Sequence, residues 1–306
     1  MDTTLTRPPL PPVRSHRFDA PQLREAAAAG TLTRLRLGSY VDSAEWIGLR
    51  RDEQARTRVR EVVLRRRRHV LVSHVSAAVL WGLPLVGRLV EQADSLRFDV
   101  NGGRSEAAIR AHRSRLHCEG VELDGLLVTP IVRTLVDVAL TEPLVTSVAA
   151  IDAALARGLV DPEALAVELA RHGRARGLVR ARAALVVASP ASRSPLESLS
   201  AVRMFESHLE RPDRQEPFPS PSGHGFDVDF FWRRLGLIGE ADGDDKYSLR
   251  GEAFALEAVL AEKERENHLR GLGNDMVRWG WDEAWRPGAL CRRLESHGVR
   301  VGRPWS

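Results

Sequence analysis

The stretch "GFDVDFFWRRLGLIGEAD", residues 225 to 242, decides the fold of the C-terminal part of the chain. Its two apolar runs are each the length of a strand, and Arg233 to Gly236 between them reads as a tight turn. Side chains alternate along a strand, so Asp227 and Asp229 share one face, and Glu240 and Asp242 share one face of the partner strand. Paired strands lie about 5 Å apart, so Asp229 and Glu240 converge if the register sets them opposite. Two carboxylates held that close repel and raise one another's pKa, a cost that a hard cation relieves. Mg²⁺ takes oxygen ligands, one or two carboxylates with waters and substrate oxygens. Asp229 and Glu240 are therefore the candidate metal ligands, for Mg²⁺ or for Mn²⁺ in its place. Charges rarely stand in apolar strands without partners, and ion pairs with Arg233 or Arg278 are the other way to satisfy them.

Both lysines of the chain, Lys246 and Lys263, follow this hairpin 17 positions apart, and the other 43 basic residues are Arg. The pattern predicts a helix from about Glu252 to Arg270, ended by Gly271 and Gly273. At 100° per residue Leu256, Val259, Leu260 and Lys263 fall on one stripe, which predicts an inward Lys263 in need of a carboxylate or phosphate. Its bland alternative is a solvated pair with Glu262 or Glu266. Lys246 stands behind Asp244 and Asp245, and "NDMVRWGW" predicts a further strand. Upstream, "SPLESLSAVRMFESHLE" opens a helix with Ser194 at the N-cap, Pro195 at N1 and Glu197 at N3, the spacing of a capping box. Asp242-Gly243 also reads as a simple turn.

Helix, hairpin carrying Asp229 and Glu240-x-Asp242, charged helix and strand, over about 190 to 285, resemble the PD-(D/E)XK nuclease superfamily in its Vsr-like branch. "VDF" at 228 to 230 and "GEADG" at 239 to 243 carry the resemblance. It implies a central mixed sheet flanked by helices and Mg²⁺-dependent cutting of DNA. Glu197, Asp229, Glu240, Asp242, Lys246 and Lys263 stand at the matching places. Asp229 and Glu240 would hold Mg²⁺, Glu197 would order a water or a second ion, and Lys246 or Lys263 would stabilise charge developing on phosphate. The lysine position of the D/E-X-K signature holds Asp242 here.

Before residue 190, "FDAPQLREAAAAG" reads as a helix with Asp19 as N-cap, Pro21 in its first turn and Gly30 as terminator. "LTRLRLGSYV" then alternates as two short strands turning at Gly38-Ser39. Arg34 and Arg36 on such a wing suit DNA phosphates, or equally a solvated strand face. A helix running into Arg65 to Arg68 places cations at its negative dipole end. A second helix starts near Ser73, with His74 as a helix-start or packing residue. "LRFDV" and "GLLVT" predict strands, and "PIVRTLVDVAL", "SVAAIDAALARGLV" and "DPEALAVELARHG" predict helices. "TLTRLRLGSYV", "SHVSAAVLWGLPL", "TPIVRTLVDVAL" and "AIDAALARGLV" are similar to AbiEi-type antitoxins over about 18 to 185. That resemblance implies a DNA-binding winged helix and a toxin partner.

The expected fold class is α/β of the α+β kind, in four parts: a disordered tail (1–17), a winged-helix and mixed α/β module (18–187), a linker (188–195) and the nuclease-like domain (196–306). Residues 1 to 190 carry 28 Arg against 21 acidic residues, net +7, and residues 191 to 306 carry net −3. A basic half suits a phosphate backbone and an acidic half suits divalent cations, though solvated faces produce the same counts. Cys118 and Cys291 stand far apart without CxxC spacing, so neither a disulfide framework nor a zinc site is indicated and the compartment is reducing. With no apolar leader and no run of about 18 apolar residues, a cytoplasmic protein without a membrane partner is expected. A Gly-rich phosphate loop, HExxH and a nucleophile elbow are all missing from the sequence. The expected function is a Mg²⁺-dependent DNA endonuclease with an antitoxin-like DNA-binding N-terminal region. The alternative is a non-catalytic DNA-binding regulator or antitoxin of a toxin–antitoxin system.

Overall fold

A computed structural model describes residues 13–14, 20–36, 38–66, 70–87, 90, 92–98, 108–220, 225–243 and 252–305. Asp19, Arg67, Arg68 and Lys246 lie outside them. The chain is mixed α/β and divides into two compact units, Met1–Ala150 with Val160–Ala181, and Ile151–Leu159 with Arg182–Ser306. Among the described residues no helix is long and apolar enough to cross a membrane.

The first unit opens with β1 (Val13–Arg14), within the stretch expected as a disordered tail, then α1 (Ala20–Ala28), β2 (Leu32–Arg36) and β3 (Ser39–Asp42). The strands form an antiparallel sheet in the order β1-β3-β2. Helix α1 stops where Gly30 takes φ 81°, and Gly38 makes the hairpin turn at φ 74°; both are conformations glycine adopts without strain. A register shift between Arg34 and Arg36 breaks the expected alternation of β2. Arg34 is exposed, whereas Arg36 is half-buried. The helices α2 (Ser43–Ile47) and α3 (Arg51–Leu64) come next, and Trp46 and Leu49 pack with Val41 and Leu35 to hold the hairpin.

The rest of this unit comprises α4 (His74–Leu80), β4 (Ala93–Arg97), β5 (Ile109–Arg113), β6 (Val121–Leu123), β7 (Leu126–Val128) and α5 (Ile131–Thr141), then α6 (Leu144–Ala156), α7 (Pro162–Arg171) and α8 (Leu178–Val187). Helices α6 and α8 run across the division between units. β4 and β5 pair in parallel, β6 and β7 form a hairpin, and Val72 bridges to both pairs, at Ser95 and at Val128. Val59, Val63, Val72, Leu80 and Val128 form the core beneath. The buried charges of α5 are satisfied within the unit. Arg133 Nε donates to both oxygens of Asp137 at 2.9 and 3.0 Å, and its other nitrogens donate to Leu116 O and Ser114 Oγ. Burial of such a pair is tolerated because each of the three guanidinium nitrogens has an acceptor.

In the second unit helix α9 (Pro195–Glu206) leads into β8 (Asp213–Phe218), β9 (Phe226–Trp232), β10 (Leu237–Ala241), α10 (Glu252–Gly271), β11 (Asp275–Trp279), α11 (Trp281–Trp285) and α12 (Ala289–Ser296). The predicted helix, hairpin, helix and strand stand in that order, with β8, α11 and α12 in addition. The sheet order is β11-β10-β9-β8, with β8, β9 and β10 antiparallel and β11 parallel to β10. A parallel neighbour needs a crossover, and α10 supplies it. Leu269 of α10 packs on Phe231, Ile238 and Met276. Trp279 stacks near Phe230 and donates to Ser200 Oγ of α9 at 2.7 Å.

The stretch expected to link two domains, 188–195, is instead built into this unit. Ser192 is buried, Ser189 N–H donates to Asp152 Oδ1 at 2.8 Å, and Arg214 donates to Ser192 Oγ at 3.0 Å. Its Ser and Pro content resembles a linker because such residues serve caps and turns as well as flexible chain. Gly239 marks the tightest approach in the sheet: a Cβ there would stand 2.6 Å from Trp279 Cη2 and 3.0 Å from Trp232 Cζ3. Gly239→Ala is therefore expected to destabilise the second unit by about 1 to 3 kcal/mol. Urea unfolding reads this directly, and an unchanged midpoint would contradict the packing described.

Candidate functional site

The register of the sheet builds a polar row. Pairing of Ile238 with Phe231 and Gly239 with Phe230, continued one step, sets Glu240 opposite Asp229. On the outer side, Arg214 pairs with Phe230 and Glu216 with Val228, which leaves Gln215 opposite Asp229. On the other side Glu240 pairs with Arg278. Gln215, Asp229, Glu240 and Arg278 thus cross four strands in one line. The convergence expected from the alternation of side chains holds, and neither Arg233 nor Arg278 is what Glu240 leans on. Arg233 bonds Asp213 at 2.7 Å and Glu216 at 2.5 Å.

Asp229 is held at both oxygens. Oδ1 accepts from Gln215 Nε2 at 3.0 Å, and Oδ2 accepts from Ala241 N–H at 2.9 Å. Gln215 Nε2 also donates to Glu197 Oε2 at 3.0 Å, which brings the first turn of α9 to the row. Ser194 caps α9 as predicted, its Oγ accepting from Glu197 N–H at 3.2 Å. The return half of the capping box departs from expectation: Glu197 Oε2 accepts from Arg193 N–H at 3.0 Å. Gln215 has φ 50°, a left-handed conformation that costs a non-glycine residue free energy and that persists only where its neighbours enforce it.

Glu240 is 4% exposed. Its Oε1 lies 3.2 Å from Arg265 Nη2 as an ion pair. Burial first, and then the charge of Asp229, push the Glu240 carboxyl up to about 7. Burial and Asp229 raise Glu197 in the same way. Asp229 therefore presses on two other carboxylates, on Glu197 of α9 across a shared glutamine amide and on Glu240 of β10 across the strand pair.

The cationic side of the site comes from arginine. Arg265 also bonds Glu262 at 2.9 and 3.0 Å, and Glu262 and Glu240 hold its pKa above the usual value against the opposing effect of burial. Arg278 contacts Glu262 and lies 3.1 Å from Asp242 and 3.6 Å from Glu266. Asp242, half-buried beyond the end of β10, is thus an ion-pair partner of Arg278. Lys263 corrects the prediction: it is exposed, about 120° round the helix from buried Leu269, while Glu262, Arg265 and Glu266 lie on the Leu269 side. The aliphatic residues 256, 259 and 260 drew the predicted stripe off this face. The other lysine, Lys246, lies outside the described residues.

Two site residues were missed in the sequence. Arg265 was legible in principle, since 262, 265 and 269 recur at helical spacing; Gln215 was not, because nothing in "DRQEPF" announces a left-handed residue. In the first unit His74 opens α4 at φ 53°, is buried, and stacks on His112 with ring centroids 3.5 Å apart. Burial keeps it well below the usual imidazole range, in line with a packing residue. Among the described residues, no three His, Cys, Asp or Glu side chains form a ready set of metal ligands.

In metal-free buffer the folded chain keeps a proton on Glu240 up to pH about 7, whereas an unfolded glutamate loses it near 4.5. The folded state binds the extra proton between those values, so this group's contribution to stability is lost as pH rises through the window. Glu240→Gln is expected to remove that loss, on the order of 2 to 3 kcal/mol between pH 4.5 and 7. Parallel stability–pH curves for the two proteins would contradict the raised pKa. No protein-family model and no curated protein matches this chain, so its function is read from these side chains.

Proposed function

We propose that the second unit is a Mg²⁺-dependent DNA phosphodiesterase site of the PD-(D/E)XK, Vsr-like kind, and that the first unit is a winged-helix, AbiEi-like module that engages DNA. The observation that carries the reading is Asp229 set between two other carboxylates, sharing the Gln215 amide with Glu197 on one side and facing Glu240 on the other, with Glu240 raised by burial and then by the charge of Asp229. Carboxylates perturbed by burial and by a neighbouring like charge cluster at functional sites, where a bound cation offsets the repulsion. Asp229 and Glu240 would hold Mg²⁺ or Mn²⁺. Two carboxylates fit this cation, which keeps several waters and does not require a full protein cage.

When bound, the cation supplies Lewis-acid polarisation of a phosphodiester. The chain's own residues do the rest. Gln215 orients Asp229 and Glu197 by one shared amide. Arg265, beside Glu240, and Arg278, beside Asp242, would offer guanidinium groups to the phosphate as negative charge develops. Glu197 accepts hydrogen bonds through Oε2 and could order a water with its other oxygen.

One observation favours the second reading, a DNA-binding regulator or antitoxin whose nuclease-like unit is a scaffold: Arg265 already sits against Glu240, and Lys263 faces solvent. A fold resemblance does not establish chemistry. The plasmid-nicking assay separates the two. With Mg²⁺ the wild type is expected to nick supercoiled DNA, and Asp229→Asn or Glu240→Gln to lower the rate by at least about 100-fold. Wild type cutting no better than the double variant would leave the scaffold reading. For the first unit, exposed Arg34 is the stronger phosphate contact. Arg34→Ala is expected to weaken a gel shift uniformly across DNA sequences and to reduce the salt slope by about 1. No shift by wild type at low salt would contradict DNA binding by either reading.

A further inference from the structure

The carboxylate site is supported from outside the stretch that resembles a nuclease. Residues Ile151–Leu159, the end of α6 and the turn after it, belong to the second unit. Within them Asp152 is 2% exposed and gathers three partners: Ser189 N–H at 2.8 Å, Ser198 Oγ at 2.7 Å and Arg214 Nη1 at 3.8 Å. Arg214 is itself buried and also donates to Ser192 Oγ at 3.0 Å and Val187 O at 2.9 Å.

These partners adjoin the site in sequence. Ser198 is next to Glu197 in the first turn of α9, and Arg214 precedes Gln215 in β8. A single buried carboxylate therefore ties together the two elements whose side chains, Glu197 and Gln215, meet at 3.0 Å. Gln215 needs such a tie because its left-handed φ of 50° relaxes unless the flanking backbone is fixed. Burial acts against the pair, raising Asp152 and lowering Arg214, so its retention in the core asks for a reason beyond stability.

We propose that Asp152 is a positioning residue of the carboxylate site, setting the Glu197–Gln215–Asp229 arrangement through Ser198 and Arg214. The inference rests on the reading of that site as one for a divalent cation. A fragment starting at 188 or 196, although it contains Glu197, Gln215, Asp229 and Glu240, therefore lacks Asp152 and with it part of what shapes the site.

The test uses the full chain, with Mn²⁺ alone as probe, read by electron paramagnetic resonance well below the melting temperature. Asp152→Asn and Ser198→Ala are compared with Leu294→Ala, a buried position on α12, which carries none of Glu197, Gln215, Asp229 and Glu240. The expected result is a loss of at least about tenfold in Mn²⁺ affinity for Asp152→Asn and Ser198→Ala, the size typical of residues that orient metal ligands. Leu294→Ala should melt lower yet bind Mn²⁺ as the wild type does. Should Asp152→Asn fail to fold, Ser198→Ala decides alone. Wild-type affinity in the folded variants would overturn the proposal. If the wild type binds no Mn²⁺, the cation reading is overturned, and the Gln215 side-chain amide resonances then decide positioning separately. They should move in both variants if Asp152 sets the arrangement, and stay in place if it does not.

Discussion

Repulsion of Asp229 against Glu197 on one side and Glu240 on the other is the constraint on which the carboxylate row of the second unit depends. Like charges at this spacing are tolerated only where something of opposite sign or a hydrogen-bond donor stands between them. The chain provides three such elements: the Gln215 amide, the Ala241 N–H and the Arg265 guanidinium. None of them neutralises the whole group: Arg265 reaches Glu240 at 3.2 Å, and burial with the charge of Asp229 still holds the Glu240 carboxyl up to about 7. On the proposed reading a bound cation would relieve what remains.

The second unit's fold was legible because its signals were local. The Arg233–Gly236 turn, the alternation of Asp229 and Glu240, the Ser194 cap and the glycines after α10 each specify geometry within a few residues. What failed were inferences that needed the third dimension. Lys263 was assigned by a hydrophobic stripe, yet the helix face turned to the sheet carries Glu262, Arg265 and Glu266, charges that find partners in Glu240 and Arg278. Gln215 is uncharged and its importance lies in a backbone angle, which composition does not reveal. The bulge in β2 likewise separates Arg34 from Arg36 although they alternate in sequence.

Domain limits were misread for a related reason. Ser, Pro and Ala at 188 to 195 look like flexible chain, but their hydroxyl and amide groups bond Asp152 and Arg214. A segment from the middle of the sequence thereby becomes part of the C-terminal unit. In the first unit the buried Arg133–Asp137 pair shows the same logic, with charges placed on a buried helix where each guanidinium nitrogen finds an acceptor.

The central claim is that Asp229 and Glu240 meet in order to share a divalent cation. Anomalous scattering from crystals of the full chain soaked in Mn²⁺ tests it most directly. The account predicts a single strong peak within about 2.5 Å of oxygens from both residues, with Arg265 moved off Glu240. A map empty at that position, with the Arg265 guanidinium still on Glu240, would contradict it.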